Sequence, residues 1–64
     1  MSGAFAETIV YFGKYRDWRL GAVPNWYLNW CLLEDWFEEK YPDLFEPFQD
    51  EMNWRKEQGV YIDD

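Results

Sequence analysis

Few residues in this chain could carry covalent chemistry, and their spacing narrows the choices further. Cys31 is the one thiol, and the 64 residues contain no histidine. A catalytic cysteine needs a neighbouring base or a positive field to hold its thiolate. Cys31, set among aromatic and aliphatic residues, reads instead as a small core hydrophobe. One cysteine forms no intrachain disulfide, and a zinc site of Cys and His ligands is excluded. Carboxylates are more plentiful: Glu34, Asp35, Glu38 and Glu39 lie close together, and Glu38-Glu39-Lys40 has the acid-x-Lys spacing of metal-dependent nucleases. A site of that kind also needs a further acid on a rigid scaffold and a concave pocket. In so short a chain the cluster reads as a solvated helix face. No metal, no other cofactor and no enzymatic activity are expected.

Recognition without catalysis has more support. Lys14-Tyr15-Arg16-Asp17-Trp18-Arg19 interleaves cations with aromatic rings, as surfaces that stack nucleic-acid bases do. The overall charge of −7 opposes that use, because non-specific affinity for a polyanion comes from neutralising its phosphates. The charge is also uneven. Residues 1–33 hold three basic and two acidic side chains, whereas residues 34–64 hold three basic and eleven acidic ones, a balance of −8. Such an acidic half suits a protein partner with a basic surface, including one whose own ligand is a nucleic acid.

A domain of this length buries only ~60% of the surface its unfolded chain exposes, so it needs a stabilising device. Five Trp, five Tyr and five Phe make up 23% of the chain and supply that device. A core this small cannot enclose all fifteen rings, so some must remain at the surface as anchors for a partner. The chain shows no signal-peptide pattern and no apolar run near the ~20 residues of a membrane helix. With a lone thiol, a cytoplasmic setting is expected.

The elements that position these residues follow from local signals. Glu7 to Phe12 is rich in β-branched and aromatic residues and ends at Gly13, and Trp18-Arg19-Leu20 supplies a return strand, which predicts a hairpin over 7–20. Asp17 suits a left-handed turn position. Pro24 opens a helix over about 24–33, in which Trp26, Trp30 and Leu33 recur at i, i+4, i+7 with Tyr27 and Cys31 beside them. Trp30 and Tyr27 are expected to be buried against Phe12 and the third helix. A second helix over about 35–40, capped by Asp35, must end before Pro42. Asp43-Leu44-Phe45-Glu46 has the form of a capping box for a third helix over about 43–58, although Pro47 is an alternative start. Gly59 stops it, and the acidic tail 59–64 adds a strand or frays. The expected fold is α+β: one mini-domain in which an N-terminal β-hairpin packs on two to three α-helices.

The ordered string Phe12-Gly13-Lys14-Tyr15-Arg16, Leu20, Val23-Pro24, Tyr27-Leu28-x-Trp30 resembles a small bacterial and phage family, the quorum-sensing-regulated virulence factor domain. Similar segments form a tail module of some phage and bacterial exonucleases. The likeness spans Val10 to Leu44, with Tyr41-Pro42-Asp43-Leu44 also fitting, and departs at Asp17, where that family has glycine. It implies a hairpin followed by helices and brings no catalytic residues.

The resulting expectation is a non-enzymatic acidic interaction protein of phage or bacterial type. It would bind, and inhibit or modulate, a host protein that acts on nucleic acid or in defence, in the host cytoplasm if phage-encoded. The expected partner-binding residues are Glu38, Glu39, Asp50, Glu51, Tyr15 and Trp18. The alternative is a nucleic-acid-associated accessory module using Lys14, Arg16 and Arg19.

Overall fold

Extended pairing needs several uninterrupted residues on both arms, and the N-terminal segment does not provide them. The structure, a computed structural model, describes residues 3–63. Among these residues there is no strand, so the expected α+β fold with its N-terminal β-hairpin is replaced by an all-α one. The segment 7–20 does turn back on itself. Val10 N–H donates to Trp18 C=O (2.9 Å), Asp17 N–H to Val10 C=O (2.7 Å) and Leu20 N–H to Thr8 C=O (2.8 Å). These bonds amount to one isolated antiparallel bridge, Ile9 with Arg19. The arms are cut short on both sides. Upstream, Thr8 N–H already donates to Phe5 C=O in a turn; downstream, Leu20–Ala22 winds into a 3₁₀ turn. A pairing this short has no stability of its own and must be held by packing. Gly13 and Asp17 both sit in the left-handed region, at φ 71° and 73°, and between them they reverse the chain.

Three helices carry the rest: α1 (Asn25–Leu33), α2 (Asp35–Lys40) and α3 (Pro42–Gln58). Pro24 precedes α1 in an extended conformation, and its carbonyl accepts from Tyr27 N–H. Glu34 is extended and separates α1 from α2, so it, and not Asp35, occupies the N-terminal boundary of α2. Neither it nor Tyr41, the corresponding residue of α3, makes a side-chain cap. Pro42 takes the first position of α3, where its missing N–H costs nothing. The capping box at Asp43 is therefore not used; the Asp43 carboxylate instead accepts from the Tyr11 hydroxyl (2.7 and 2.9 Å). Helix α3 continues through Pro47 and stops at Gly59, left-handed at φ 66°.

The core lies between α1, α2, α3 and the folded-back segment. Val10, Leu20, Val23, Leu28, Cys31, Phe37 and Phe48 are fully enclosed, with Tyr15, Tyr27, Leu44 and Met52 almost so. One ion pair is buried with them. Arg55 Nε donates to Glu51 Oε2 (2.9 Å), Nη1 to Asn25 Oδ1 (2.8 Å) and Nη2 to Leu20 C=O (3.2 Å). That one guanidinium thus joins α3 to α1 and to the 3₁₀ turn. The C-terminal segment neither frays at Ile62 nor forms a strand. Asn25 N–H donates to Ile62 C=O (2.8 Å), and Ile62 N–H returns to Asn25 Oδ1 (3.0 Å).

Candidate functional site: an exposed tryptophan face

Apart from Asn25 and Asn29, helix α1 is apolar throughout, so hydrophobicity alone does not say which of its apolar faces turns inward. The structure buries Tyr27, Leu28 and Cys31. The expected i, i+4, i+7 stripe is the outward one: Trp26, Trp30 and Leu33 are 43%, 44% and 74% exposed. The expectation for Tyr27 and the one for Trp30 therefore part, since Trp30 is half open to solvent. The smaller Leu28 and Cys31 share the enclosed cluster with the α3 residues Phe48 and Met52, and the bulky indoles are left outside.

Trp18 (44% exposed) and Trp36 (37%) extend this face at its two ends. Ring contacts link the four indoles into one run. Trp18 and Trp26 both meet Tyr15, at 4.9 and 6.2 Å between centroids. Trp26 and Trp30 both meet Tyr27, at 5.5 and 5.8 Å, and Trp30 meets Trp36 at 5.7 Å. Tyr15 and Tyr27, both buried, form the floor, with the tryptophans standing on it. Four tryptophan residues exposed to about two fifths each present on the order of 400 Å² of largely apolar surface. That is the size of the largest apolar patch on a typical monomer, which is often functional.

The motif residues Phe12 and Tyr27 pack inward beneath this face, and the exposed Gly13 lets Tyr27 come close. Phe12 stacks on Tyr41 at 4.1 Å and packs against Tyr27, Phe37 and Phe48. Gly13 is needed for close approach as well as for its φ, because a Cβ there would land on the Tyr27 hydroxyl. Burial pushes the Tyr27 phenol above its ordinary range. Burial also pushes the Cys31 thiol up to about 12, so it holds essentially no thiolate at neutral pH. The Tyr11 phenol is raised as well, first by its hydrogen bond to Asp43.

The residues expected to bind a partner fall into two groups. Glu38 and Glu39 on α2, Asp50 on α3, and Trp18 are exposed. Glu51 and Tyr15 are not: Glu51 is 2% exposed and committed to Arg55, and Tyr15 is 3% exposed beneath Trp18 and Trp26. Neither can meet a partner directly. In Asp50-Glu51 one step of the helix, about 100°, separates an exposed acid from a buried one; the signal for Glu51 was its i,i+4 spacing to Arg55. The alternative set Lys14, Arg16 and Arg19 is exposed, but two of its cations are engaged. Arg19 Nε pairs with Glu7 Oε1 at 3.0 Å. The Lys14 ammonium lies over the Trp26 and Tyr15 rings, 5.4 and 5.6 Å from their centroids.

Behind Trp26 a shallow open depression of about 350 Å³ is lined by Asn25, Trp26, Asn29, Met52 and Tyr61. Among the described residues no three Cys, Asp or Glu side chains converge as metal ligands would, and no helix is long and apolar enough to cross a membrane. No protein-family model matches the chain, and neither does any curated protein or solved structure.

Proposed function

We propose that this protein is a non-enzymatic interaction module that binds, through its tryptophan face, a protein acting on nucleic acid or in defence, and inhibits or modulates it. The single observation behind this reading is the set of half-exposed tryptophans, Trp18, Trp26, Trp30 and Trp36, joined through Tyr15 and Tyr27 over a core that closes without them. Exposed tryptophan is the residue most enriched among interface anchors, and hydration of so much ring surface is costly unless a partner covers it. The exposed carboxylates Glu38, Glu39 and Asp50 add an electrostatic component that speeds encounter with a basic partner. The phage or bacterial setting rests on the motif resemblance, and the cytoplasm is the corresponding compartment. Direct binding of nucleic acid is disfavoured by the charge of −7 and by the engagement of Lys14 and Arg19 within the protein.

The test is capture from bacterial lysate, with and without nuclease treatment, using the native chain and a Trp26→Ala/Trp30→Ala variant shown by circular dichroism to be folded. A partner retained after nuclease treatment and lost with the two tryptophans is the expected result. Capture indifferent to the tryptophans would refute the assignment of this face, and capture abolished by nuclease would favour the nucleic-acid alternative.

A further inference from the structure

We propose that the Trp30–Trp36 end of the face receives an arginine side chain of the partner, so that the recognised segment is arginine-rich. This inference rests on the reading above, that the tryptophan face is the partner surface.

The opposite end of the face already carries a cation. Lys14 projects its ammonium over the Trp26 ring at 5.4 Å, a separation at which the ring quadrupole attracts positive charge. Among the described residues no other cation is placed over a ring, and the Trp30–Trp36 pair lacks one. Those two rings pack edge to face at 64°, with centroids 5.7 Å apart, and each residue keeps about two fifths of its surface in water. A flat group can stack on the solvent-exposed part of either indole.

The surroundings of that pair are negative. Trp36 belongs to α2, whose sequence Asp35-Trp36-Phe37-Glu38-Glu39-Lys40 follows Glu34. Four carboxylates therefore stand against one ammonium, and none of the four forms an ion pair among the described residues. Glu39 and Lys40 lie three and four residues beyond Trp36 on the same helix and both share its side, so the ammonium offsets part of the charge and the segment 34–40 keeps a balance of −3. A ring face beside an excess of carboxylates attracts cations twice over, by quadrupole and by charge. Arginine fits better than lysine. Its guanidinium is planar, stacks on an indole and keeps its in-plane donors free for a carboxylate, whereas an ammonium is a compact, strongly hydrated point charge.

Other occupants fit less well. A neutral apolar peptide would strip water from the α2 carboxylates and return no charge. A second copy of the chain brings its own −7 to the same surface, with like charges opposed. An arginine-rich segment is also what a nucleic-acid-handling protein uses to hold phosphates, which agrees with the class of partner proposed above.

The test uses the full chain with two blocked nonapeptides, one of arginine and one of lysine, in buffer of about physiological salt. Affinity is measured by calorimetry, and the indole N–H signals are followed by NMR. The arginine peptide should bind at least about tenfold more tightly than the lysine peptide and shift the Trp30 and Trp36 signals. Trp30→Ala and Trp36→Ala should each remove about tenfold of that affinity, and Trp18→Ala less than about twofold. Should Trp36→Ala fail to fold, the indole shifts in the native chain decide. Equal binding of both peptides, unmoved by loss of either tryptophan, would mean charge attraction alone and would overturn the proposal; so would absence of binding. A concentration-dependent dimer in sedimentation, abolished by Trp30→Ala, would assign the face to a second copy and also overturn it. The wider reading is judged separately by the lysate capture. A partner lost with Trp26 and Trp30 but indifferent to arginine competition leaves that reading standing and removes only this one.

Discussion

Replacing Arg55 by methionine would test whether the buried ion pair, and not the aromatic mass alone, holds the helices in register. Arg55 is fully enclosed, and its three donors reach Glu51, Asn25 and Leu20. Methionine keeps much of the volume and removes all three bonds. It leaves Glu51, 2% exposed, with no counterion, and Glu51 Oε1 has no hydrogen-bond partner among the described residues to begin with. Breaking a buried pair from one side typically costs about 3–5 kcal/mol. A domain of 64 residues has about 3–10 kcal/mol to lose, at 0.05–0.15 per residue. Arg55→Met should therefore shift the urea midpoint down by about 3 M, taking a slope near 1 kcal/mol/M for so small a protein, or leave the chain unfolded. The double variant Glu51→Leu/Arg55→Met removes both charges together, and such apolar replacements are often neutral or stabilising. It should recover at least about 2 kcal/mol over Arg55→Met. The assay is equilibrium unfolding followed by far-ultraviolet circular dichroism, with all four corners of the cycle. An Arg55→Met midpoint within about 0.5 M of the native one, or a coupling energy under about 0.5 kcal/mol, would refute the reasoning.

Three further outcomes follow from the same packing. Trp30→Ala should cost only about 1–2 kcal/mol, because two fifths of the ring is already in water, whereas Phe48→Ala, fully enclosed, should cost about 3–5 kcal/mol; equal losses in thermal unfolding would contradict the outward placement of α1's stripe. Gly13→Ala must place a Cβ on the Tyr27 hydroxyl in a left-handed backbone, so in urea unfolding it should cost more stability than the roughly 1 kcal/mol expected of φ strain alone, and a Gly13→Ala/Tyr27→Phe pair should restore part of the loss. Stability should also fall on the alkaline side: Cys31 is raised from 9.0 to about 12 in the folded protein, so above pH 9 the unfolded chain loses its thiol proton while the native one keeps it. That contribution is complete below pH 9 and is lost as pH rises towards 12, at most about 4 kcal/mol; Cys31→Ala should flatten the decline in urea midpoint between pH 9 and 10.5.

The helices were legible because their punctuation is local. Pro24, Pro42 and Gly59 act through their own backbones, and the structure has α1, α2 and α3 at 25–33, 35–40 and 42–58 against expected spans of about 24–33, 35–40 and 43–58. The hairpin was misread because β-branched content at 7–12 is a statement about side chains, whereas strand formation depends on how many residues pair before the next turn. Here the turns at 4–7 and 13–17 leave too few. Facing was illegible in α1 for a related reason. A helix whose only polar residues are Asn25 and Asn29 contains two credible apolar stripes, and the inward one is chosen by which side chains let α3 approach, which is a property of the partner helix. The same limit hid Glu51. The i,i+4 spacing of Glu51 and Arg55 marks them as a pair, but such pairs ordinarily lie in water, and nothing local says that Asn25 and the Leu20 carbonyl enclose this one.

Charge and tryptophan surface bear on one another in this protein. Four half-exposed indoles on a body of 29 × 20 × 20 Å would, on a neutral protein, invite self-association, since apolar patches of this size are aggregation liabilities as readily as binding sites. A charge of −7 opposes that association between identical copies, through repulsion that acts over about 8 Å at physiological salt. The same field draws in a partner of opposite sign and lets the indoles act only after encounter. On this account the carboxylates set who approaches and the tryptophans set how long it stays. The two should separate cleanly: neutralising Glu38, Glu39 and Asp50 together should slow association and weaken its salt dependence while leaving dissociation nearly unchanged, and Trp30→Ala should speed dissociation by about tenfold or more at a constant association rate. Kinetics measured by surface plasmon resonance on the captured partner, at two salt concentrations, would decide it. A Trp30→Ala variant that changed only the association rate would overturn the division of roles.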